Sequence, residues 1–377
     1  MQGQTPRILI RGVNWLGDAV MTTPALQRLR ERFPNAKITL VTPEKLADIW
    51  LHHPAVDEII PFKSRETVLR IASRIRGWKF LKTAAEFQKG RLSGDRRNLD
   101  NAVVRAMQFQ SLLSDFKTIP FDMALILPNS PRSGLESWLA RIPRRVGYAR
   151  PWRNWLLTDA LPTRPGHVAM RKRSKREIQR LISSASSGNM QLSGRDETKA
   201  EKATRNTQYA AHQIHEYLHL TTALGANPEL VAPHIEVTLA EVEKMEHLLF
   251  AEAKETWTTL PSSPLWLALN PSAAYGPAKR WPADRFAAVA REVCERFPNA
   301  VWITIGSAKD FALCEKVISL AKTRILNRAG DGSLRDLMSL LKLSRVLLTN
   351  DSGPMHVAAA LGTPVVVPFG RDRKSVV

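Results

Sequence analysis

The sequence predicts an α/β protein made of two units, each built around a parallel sheet. Its 377 residues are enough for two domains of ordinary size, each with its own core. Strand-like apolar runs alternate with helical patterns in the first 62 residues and again after residue 264, and this alternation is typical of parallel sheets. A Pro/Ser stretch at 260–264 marks the boundary between the two units.

The first unit opens with a strand at Arg7–Arg11 and a loop at Gly12–Asp18. A helix follows, ending near Pro34. For its main body we predict Thr23 as N-cap, because Pro24 then occupies the first helical position, where no N–H is needed. Further strands are predicted at Ile38–Val41, Val56–Pro61, Phe121–Leu127 and Arg145–Tyr148.

Two insertions interrupt this unit, which we assign to residues 1–238. Residues 63–117 are basic and amphipathic, which indicates either a solvated helix packed on the domain or a helix that docks on an anionic membrane. Residues 166–208 are polar and include the basic run 170–176, which indicates a mobile excursion or a nucleic-acid-binding tail. The tail is the weaker alternative, because no aromatic residues are interleaved to stack on bases.

A helix at Leu239–Lys254 and the Pro/Ser stretch form the predicted interdomain segment, residues 239–264, which leads into a second unit at residues 265–377. The predicted strands of that unit are Leu265–Leu269, Val301–Ile305, Ile325–Leu326, Val346–Leu348 and Val365–Val367. Its predicted helices are Ala283–Phe297, Asp310–Ala321 and Ser333–Leu341. We expect Ser333 to cap the last of these, with Asp336 three residues on.

The composition limits the class of protein. A formal net charge of +20 favours an acidic partner, which can be nucleic acid, an anionic membrane or a phosphorylated substrate, and charge alone does not choose among them. The two cysteines, Cys294 and Cys314, have no disulfide or metal-site spacing, so a reducing cytoplasm fits best. We expect a protein that is soluble or lies on a surface, because no apolar run approaches the roughly 20 residues of a spanning helix.

Two blocks have patterns that predict phosphate-binding turns, namely Gly276–Pro282 and Thr349–His356. The second follows an apolar run and precedes a helical pattern, with Pro354 predicted at the first helical position. Ser352 and Gly353 would then present backbone N–H groups at a positive helix end, which suits a diphosphate.

Five segments of the sequence resemble the lipopolysaccharide heptosyltransferases of glycosyltransferase family nine, in order and spacing, across most of the chain. They are Gly12–Asp18, Pro128–Ser130, Gly276–Pro282, Gly306–Asp310 and Asn350–His356. Within the family, the sequence most resembles the heptosyltransferase II branch at three places. These are Pro128–Ser130, Gly276–Pro282 and the pair His212-Gln213 before a helix.

The resemblance implies the GT-B fold, in which two Rossmann-like domains face each other, with the donor bound mainly by the second and the acceptor by the first. The implied donor is ADP-L-glycero-D-manno-heptose, and the implied acceptor is a heptosylated, Kdo-bearing lipid A core. Family members invert the anomeric centre without a metal, and we expect no cofactor. The implied location is cytoplasmic, peripheral on the anionic inner membrane, with no specific nucleic-acid partner.

Asp18 is the candidate base. Displacement at an anomeric carbon needs a group that takes the acceptor hydroxyl proton, and a carboxylate after the first strand would face the cleft between domains. The alternative is that Asp18 only caps its helix.

The donor side is predicted to neutralise the departing diphosphate. Lys279 would follow the charge that builds on it, although an exposed loop lysine is the alternative. Asp351 would bind heptose hydroxyls or order its turn, while Ser352 and Gly353 would donate N–H groups. His356 would add a donor, unless it is a packed, satisfied histidine.

Weaker candidates complete the predicted donor site. Asp310 stands where an acidic residue can meet a ribose hydroxyl, though N-capping explains it equally well, and Ser272 is placed to contact phosphate. Trp15, Trp152 and Trp281 would stack on sugar faces or serve only as packing.

The end of the sequence departs from the family's pattern. Family members continue after Gly370 through another donor-binding loop and a helix that crosses back to the first domain, whereas this sequence stops at Val377. Residues 372–377 can be read as translated sequencing-adapter DNA, so we expect an artificial end that truncates the second unit.

Two other functions stay open at this point. One is another nucleotide-sugar-dependent GT-B transferase of cell-envelope polysaccharide, which would prefer UDP- or GDP-sugars. The other is a non-enzymatic basic protein that binds polyanions or membranes, with steeply salt-dependent binding that survives loss of Asp18 and Lys279.

Overall fold

The computed structural model describes residues 5–62, 121–164, 167, 212–273 and 279–368. Apart from His167, the two predicted insertions lie outside the described residues. So do the first three residues of the Gly276–Pro282 block and the chain end after residue 368.

The N-terminal domain is built on a parallel sheet with the order β3-β2-β1-β4-β5-β6 in the described ranges. Its strands are β1 (Arg7–Arg11), β2 (Lys37–Pro43), β3 (Glu58–Phe62), β4 (Met123–Ile126), β5 (Arg144–Tyr148) and β6 (Asp159–Leu161). The order reverses between β1 and β4, where Ile8 pairs with Met123. In parallel sheets such a reversal opens a crevice at the carboxyl ends of the strands, so the loop after β1 starts at a natural binding position.

Helices cover both faces of this sheet. They are α1 (Leu16–Arg32), α2 (Glu44–Ala47), α3 (Pro131–Leu139) and α4 (Ile214–Thr222). Short 3₁₀ turns stand at Asp48–Trp50 and Asn154–Leu156. The helix α3 was not predicted, although Ser130 caps it and Pro131 fits its first turn, as capping rules favour.

The prediction that Thr23 is the N-cap of the main body of α1 is wrong. The helix begins at Leu16, and Pro24 lies inside it. Proline cannot donate to the carbonyl four residues earlier, but the Thr23 hydroxyl donates to that same Val20 carbonyl at 2.8 Å. A side chain thus replaces the missing backbone donor, which explains how the helix tolerates the proline.

The C-terminal domain repeats the architecture with a parallel sheet of order β11-β10-β7-β8-β9. Its strands are β7 (Leu265–Asn270), β8 (Ala300–Thr304), β9 (Ile325–Asn327), β10 (Leu347–Thr349) and β11 (Val365–Val366). The helices that follow the N-terminal domain are α5 (Leu239–Thr256), α6 (Ala283–Arg296), α7 (Phe311–Ala321), α8 (Leu334–Leu343) and α9 (Gly353–Ala360). The Ser333–Asp336 capping box predicted for α8 is present.

Helix α5 and the segment before it tie the two domains together. Met245 and Leu249 of α5 are buried in an apolar cluster that runs from the first sheet to the second. Arg335 of α8 donates to the Glu241 carboxylate at 2.7 Å and to the Glu236 carbonyl at 2.7 Å. Among the described helices, none is long and apolar enough to span a membrane.

Candidate active site

A cleft of about 960 Å³ lies between the domains, at the carboxyl ends of both sheets. Leu16, Asp18 and Gln213 belong to its N-terminal wall. The predicted site residues all line this cleft: Asp18, Ser272, Lys279, Asp310, Asp351, Ser352, Gly353 and His356. The fold therefore brings together in space what the sequence spreads over more than 300 positions, while the chemical role of each residue stays a prediction.

Asp18 is the third residue of α1 and is half-buried on the N-terminal wall. The N-cap of α1 is Trp15, and no side chain caps it, so the alternative of Asp18 as a cap does not describe this helix. Burial raises the pKa of the Asp18 carboxyl, and a side-chain hydrogen bond with Gln213 partly opposes that rise. A carboxylate with a raised pKa is a stronger base.

Gln213 is a site residue to which sequence reasoning gave no role. It stands just before α4, and its amide donates to the Tyr217 hydroxyl at 2.9 Å while it also bonds Asp18. Tyr217 is buried, so this arrangement holds the amide in one orientation towards the carboxylate. In the sequence, the pair His212-Gln213 belongs only to the family pattern, and the contact of Gln213 with Asp18 spans 195 positions.

Two buried asparagines order the loops of the opposite wall. The Asn270 amide donates to the hydroxyls of Thr349 and Ser352 at 3.0 and 2.9 Å, and its carbonyl oxygen accepts from the Ser272 hydroxyl. Asn350 accepts from the Trp281 N–H at 2.9 Å and donates to a carbonyl after β7. A signal existed in the sequence, because each asparagine comes directly at the end of an apolar strand.

Lys279 and Asp351 form an ion pair across these loops, with the ammonium 2.5 Å from the carboxylate. Both side chains are partly exposed to the cleft. Lys279 is therefore not an isolated loop lysine. Asp351 has the loop-ordering contact that was one of its two predicted roles, and its other predicted partner, a heptose hydroxyl, stays a prediction.

The N-terminus of α9 points into the same cleft. Gly353 is its first residue, so Pro354 occupies the second helical position and not the first, as was predicted. The first N–H groups of a helix have no partner within the helix, so they are available to an anion. His356 follows in the first turn, and burial lowers the pKa of its imidazole, although Asp351 acts in the opposite direction. The lowered pKa favours the neutral form of the His356 imidazole.

The tips of α1 and α9 touch each other through two glycines. A Cβ at Gly17 would lie 2.7 Å from the His356 ring, and a Cβ at Gly353 would lie 2.9 Å from Leu16. A larger residue at either position would force the facing side chain to move. The contact sets how far the Asp18 turn stands from the α9 tip.

Two weaker candidates have local explanations. The Asp310 carboxylate accepts from the Ser307 N–H at 3.0 Å and from its hydroxyl at 2.6 Å, in a capping box. The Ser272 hydroxyl donates to the Asn270 side chain. Both still line the cleft. Trp281 packs edge-on against Phe286, which favours the packing interpretation for that tryptophan.

A smaller hollow of about 380 Å³ lies beside Glu246, Lys342 and Arg345 and contains none of the predicted site residues. Within the described ranges, no group of three or more His, Cys, Asp or Glu side chains is arranged to hold a metal ion. The expectation of a metal-free reaction stays a prediction.

Comparison with known proteins agrees with this geometry. The family model for glycosyltransferase family 9 (heptosyltransferase) matches residues 190–376. Lipopolysaccharide heptosyltransferase 2 of Escherichia coli K12 is 25% identical over 97% of this chain and 82% of its own length.

Solved structures give the same result for the fold. The E. coli ADP-heptose LPS heptosyltransferase II superposes with a TM-score of 0.62 at 23% identity, covering 96% of this chain and 84% of its own. E. coli heptosyltransferase WaaC with ADP-2-deoxy-2-fluoro heptose gives 0.54 at 16% identity, covering 97% and 91%. The predicted GT-B arrangement of two parallel-sheet domains is confirmed. Residues 190–376 thus match the glycosyltransferase family 9 (heptosyltransferase) model, the chain is similar to lipopolysaccharide heptosyltransferases over nearly its whole length, and it is a glycosyltransferase.

Proposed function

We propose that the protein transfers L-glycero-D-manno-heptose from ADP-heptose to the heptosyl-Kdo-lipid A inner core of lipopolysaccharide, with inversion and without a metal. The single observation that carries this proposal is the cleft, with a carboxylate of raised pKa on one wall and a lysine beside a helix tip on the other. The names of the relatives support the donor and acceptor, since they are lipopolysaccharide heptosyltransferases.

In the proposed reaction the acceptor hydroxyl oxygen attacks the anomeric carbon, while the bond from that carbon to the diphosphate oxygen breaks. Asp18 takes the hydroxyl proton, and ADP leaves with the electron pair of the broken bond. Because the attack comes from the face opposite to ADP, the anomeric configuration inverts. Electrostatic stabilisation of a developing charge is commonly the largest single contribution to catalysis.

The donor wall is suited to that developing charge. Lys279 supplies a mobile cation, and the N–H groups of Ser352 and Gly353 supply fixed donors at the positive end of α9. The Lys279–Asp351 ion pair has to yield when the diphosphate binds, so Asp351 becomes free to accept hydrogen bonds from heptose hydroxyls.

We further propose that the enzyme works in the cytoplasm, peripheral on the cytoplasmic face of the inner membrane. The net charge of +20 supports this placement, because the acceptor carries anionic groups and is anchored in an anionic bilayer.

The test is a transfer assay with purified protein, ADP-heptose and two defined acceptors, one with and one without the first heptose. We expect ADP release and a heptosylated product only with the heptose-bearing acceptor, unchanged by EDTA. NMR of the product should show the inverted anomer. Turnover of UDP- or GDP-sugars in place of ADP-heptose would contradict the donor assignment, and salt-sensitive polyanion binding without turnover would contradict the enzymatic function.

A further inference from the structure

We propose that the loop Arg150–Leu156 of the N-terminal domain docks the enzyme on an anionic lipid bilayer through two exposed tryptophans. The inference rests on the proposed function in one respect, namely that the acceptor is a lipid. The geometry and the charge of the loop, which carry the inference, do not depend on that function.

Two indoles of this loop project into solvent. Trp152 is 63% exposed and Trp155 is 65% exposed, the two most exposed tryptophans in the described ranges. Trp152 also has a φ of 66°, a left-handed conformation that is unfavourable for a bulky residue. Strained backbone of this kind persists where surrounding structure holds it, and it concentrates at functional positions.

The residue between the two tryptophans anchors the loop. Arg153 is fully buried, and its guanidinium donates to the Pro128 carbonyl at 2.5 Å. The Asn154 side chain accepts from the Arg150 N–H at 2.9 Å. Trp155 is steadied edge-on by Trp138 of α3, with ring centroids 6.0 Å apart. The indoles are thus displayed by an ordered loop.

The surroundings of the loop are cationic. Residues 128–164 contain seven arginines and two acidic residues, Glu136 and Asp159. Glu136 is buried between Arg11 and Arg132, and Asp159 pairs with Arg144, so neither offers a free negative charge. Arg141 and Arg144 are exposed. Basic residues close to an anionic bilayer add to its attraction for the protein.

An anionic bilayer is the partner that fits both features. Indoles are amphipathic and concentrate at the interface between lipid and water, and arginines attract anionic headgroups. The loop follows the carboxyl end of β5, and Arg153 ties it to the turn after β4, at the same end of the sheet as the loop after β1 that leads to Asp18. Docking there would bring a membrane-anchored acceptor to the acceptor side of the cleft.

The experiment compares wild type with Trp152→Ala and with Trp152→Ala/Trp155→Ala. The matched control is Phe297→Ala/Phe311→Ala, which removes two aromatics of the C-terminal domain that are 51% and 49% exposed. Co-sedimentation would use phosphatidylcholine vesicles with and without phosphatidylglycerol. Activity would be measured on a vesicle-embedded acceptor and on the same acceptor after removal of its acyl chains.

We expect the double variant to bind phosphatidylglycerol vesicles about tenfold more weakly, which corresponds to about 1.4 kcal/mol. It should lose turnover of the embedded acceptor and keep turnover of the deacylated one, with the control unchanged. The single variant removes an indole that has no ring contact among the described residues, so its fold should be intact, and it should show part of the same loss.

Unchanged vesicle binding in both variants would overturn the proposal. Equal loss of activity on the deacylated acceptor would also overturn it, because the indoles would then be contacting the sugar. If wild type fails to transfer heptose at all, the proposed function fails, while the vesicle arm still decides whether the loop binds lipid.

Discussion

Two features of the site shift the pKa of the Asp18 carboxyl in opposite directions. Burial raises its pKa, and the hydrogen bond from Gln213 lowers it. The ionised form is the base, so activity requires a pH above that pKa. The value is therefore a compromise between a stronger base and a larger ionised fraction at neutral pH.

Replacing the carboxylate tests the proposed base. We expect Asp18→Asn to lower kcat by about 10²–10⁴, the usual contribution of a general base, because the amide cannot accept the proton. ADP affinity, measured by calorimetry, should stay close to wild type, since Asp18 lies on the wall opposite to Lys279. The exposed Asp284→Asn on α6 is the control. Full turnover in Asp18→Asn would remove the proposed base.

Gln213→Leu should move the acidic limb of the pH–rate profile. Loss of the hydrogen bond removes the effect that lowers the Asp18 pKa, so that pKa rises further. Because activity is lost as pH falls through this pKa, the limb of kcat/KM should shift to higher pH. Tyr217→Phe, which removes only the other partner of Gln213, should shift it less. A shift to lower pH would contradict the assignment.

The Lys279–Asp351 pair predicts different results for its two members. Lys279→Ala should weaken donor binding and slow transfer together, because it removes the cation for the diphosphate. Asp351→Asn should bind ADP at least as tightly as wild type, since a negative charge beside the phosphates is lost, yet transfer heptose more slowly. Calorimetry with ADP and steady-state kinetics with ADP-heptose separate the two. Weaker ADP binding in Asp351→Asn would exclude the proposed exchange of partners.

At the scale of elements, α1 contains a proline, and a side-chain hydroxyl replaces the backbone donor that this proline lacks. The Thr23 hydroxyl donates to the Val20 carbonyl and accepts from the His234 N–H at 3.1 Å, in a segment that leads to the second domain. One buried hydroxyl thus satisfies two backbone groups.

Thr23→Val should lower the free energy of unfolding by about 1–3 kcal/mol, because it leaves buried polar groups without partners. Thr22→Val is the matched control. The Thr22 hydroxyl also donates to a helix carbonyl, that of Ala19, but Thr23 supplies a backbone N–H for that carbonyl, so the loss should be smaller. Urea unfolding followed by circular dichroism measures both, and equal losses would contradict the role of Pro24.

These elements show which features of the structure can be predicted from the sequence and which cannot. Strands β1, β7 and β10 were predicted because their apolar runs are continuous, and the α8 cap because Ser333 and Asp336 are close in sequence. The start of α1 was missed because a proline usually stands in the first turn of a helix, whereas Pro24 lies inside α1, where the Thr23 hydroxyl replaces the donor that the proline lacks. In the site, Asp18 and Lys279 came from local motifs, whereas the roles of Gln213 and Asn270 rest on contacts between distant segments.

At the scale of the whole molecule, two helix tips meet where the domains face each other. Gly17 lies under the His356 ring and Gly353 under Leu16, so each domain supplies one glycine and one side chain. Arg335 and α5 join the domains on another side. The two domains are therefore in contact at two places.

Gly17→Ala tests this contact in a double-mutant cycle with His356→Ala. Alanine favours helix over glycine, so α1 itself should not suffer. The added methyl would lie 2.7 Å from the His356 ring, and overpacking commonly costs about 1–3 kcal/mol, so kcat/KM should fall in the wild-type background. In the His356→Ala background the same change should have little effect. Equal effects in both backgrounds would show that the ring is not the obstacle.

The ion pair of Lys279 and Asp351 also affects how strongly the enzyme binds small anions from solution before the donor arrives. A lysine that already holds a counterion should attract orthophosphate or sulfate less strongly than an unpaired lysine, because Asp351 offsets part of its charge. A nucleotide sugar brings many contacts at once and compensates for the loss of the ion pair. We therefore expect this ion pair to favour a nucleotide sugar over abundant inorganic anions before any sugar is recognised.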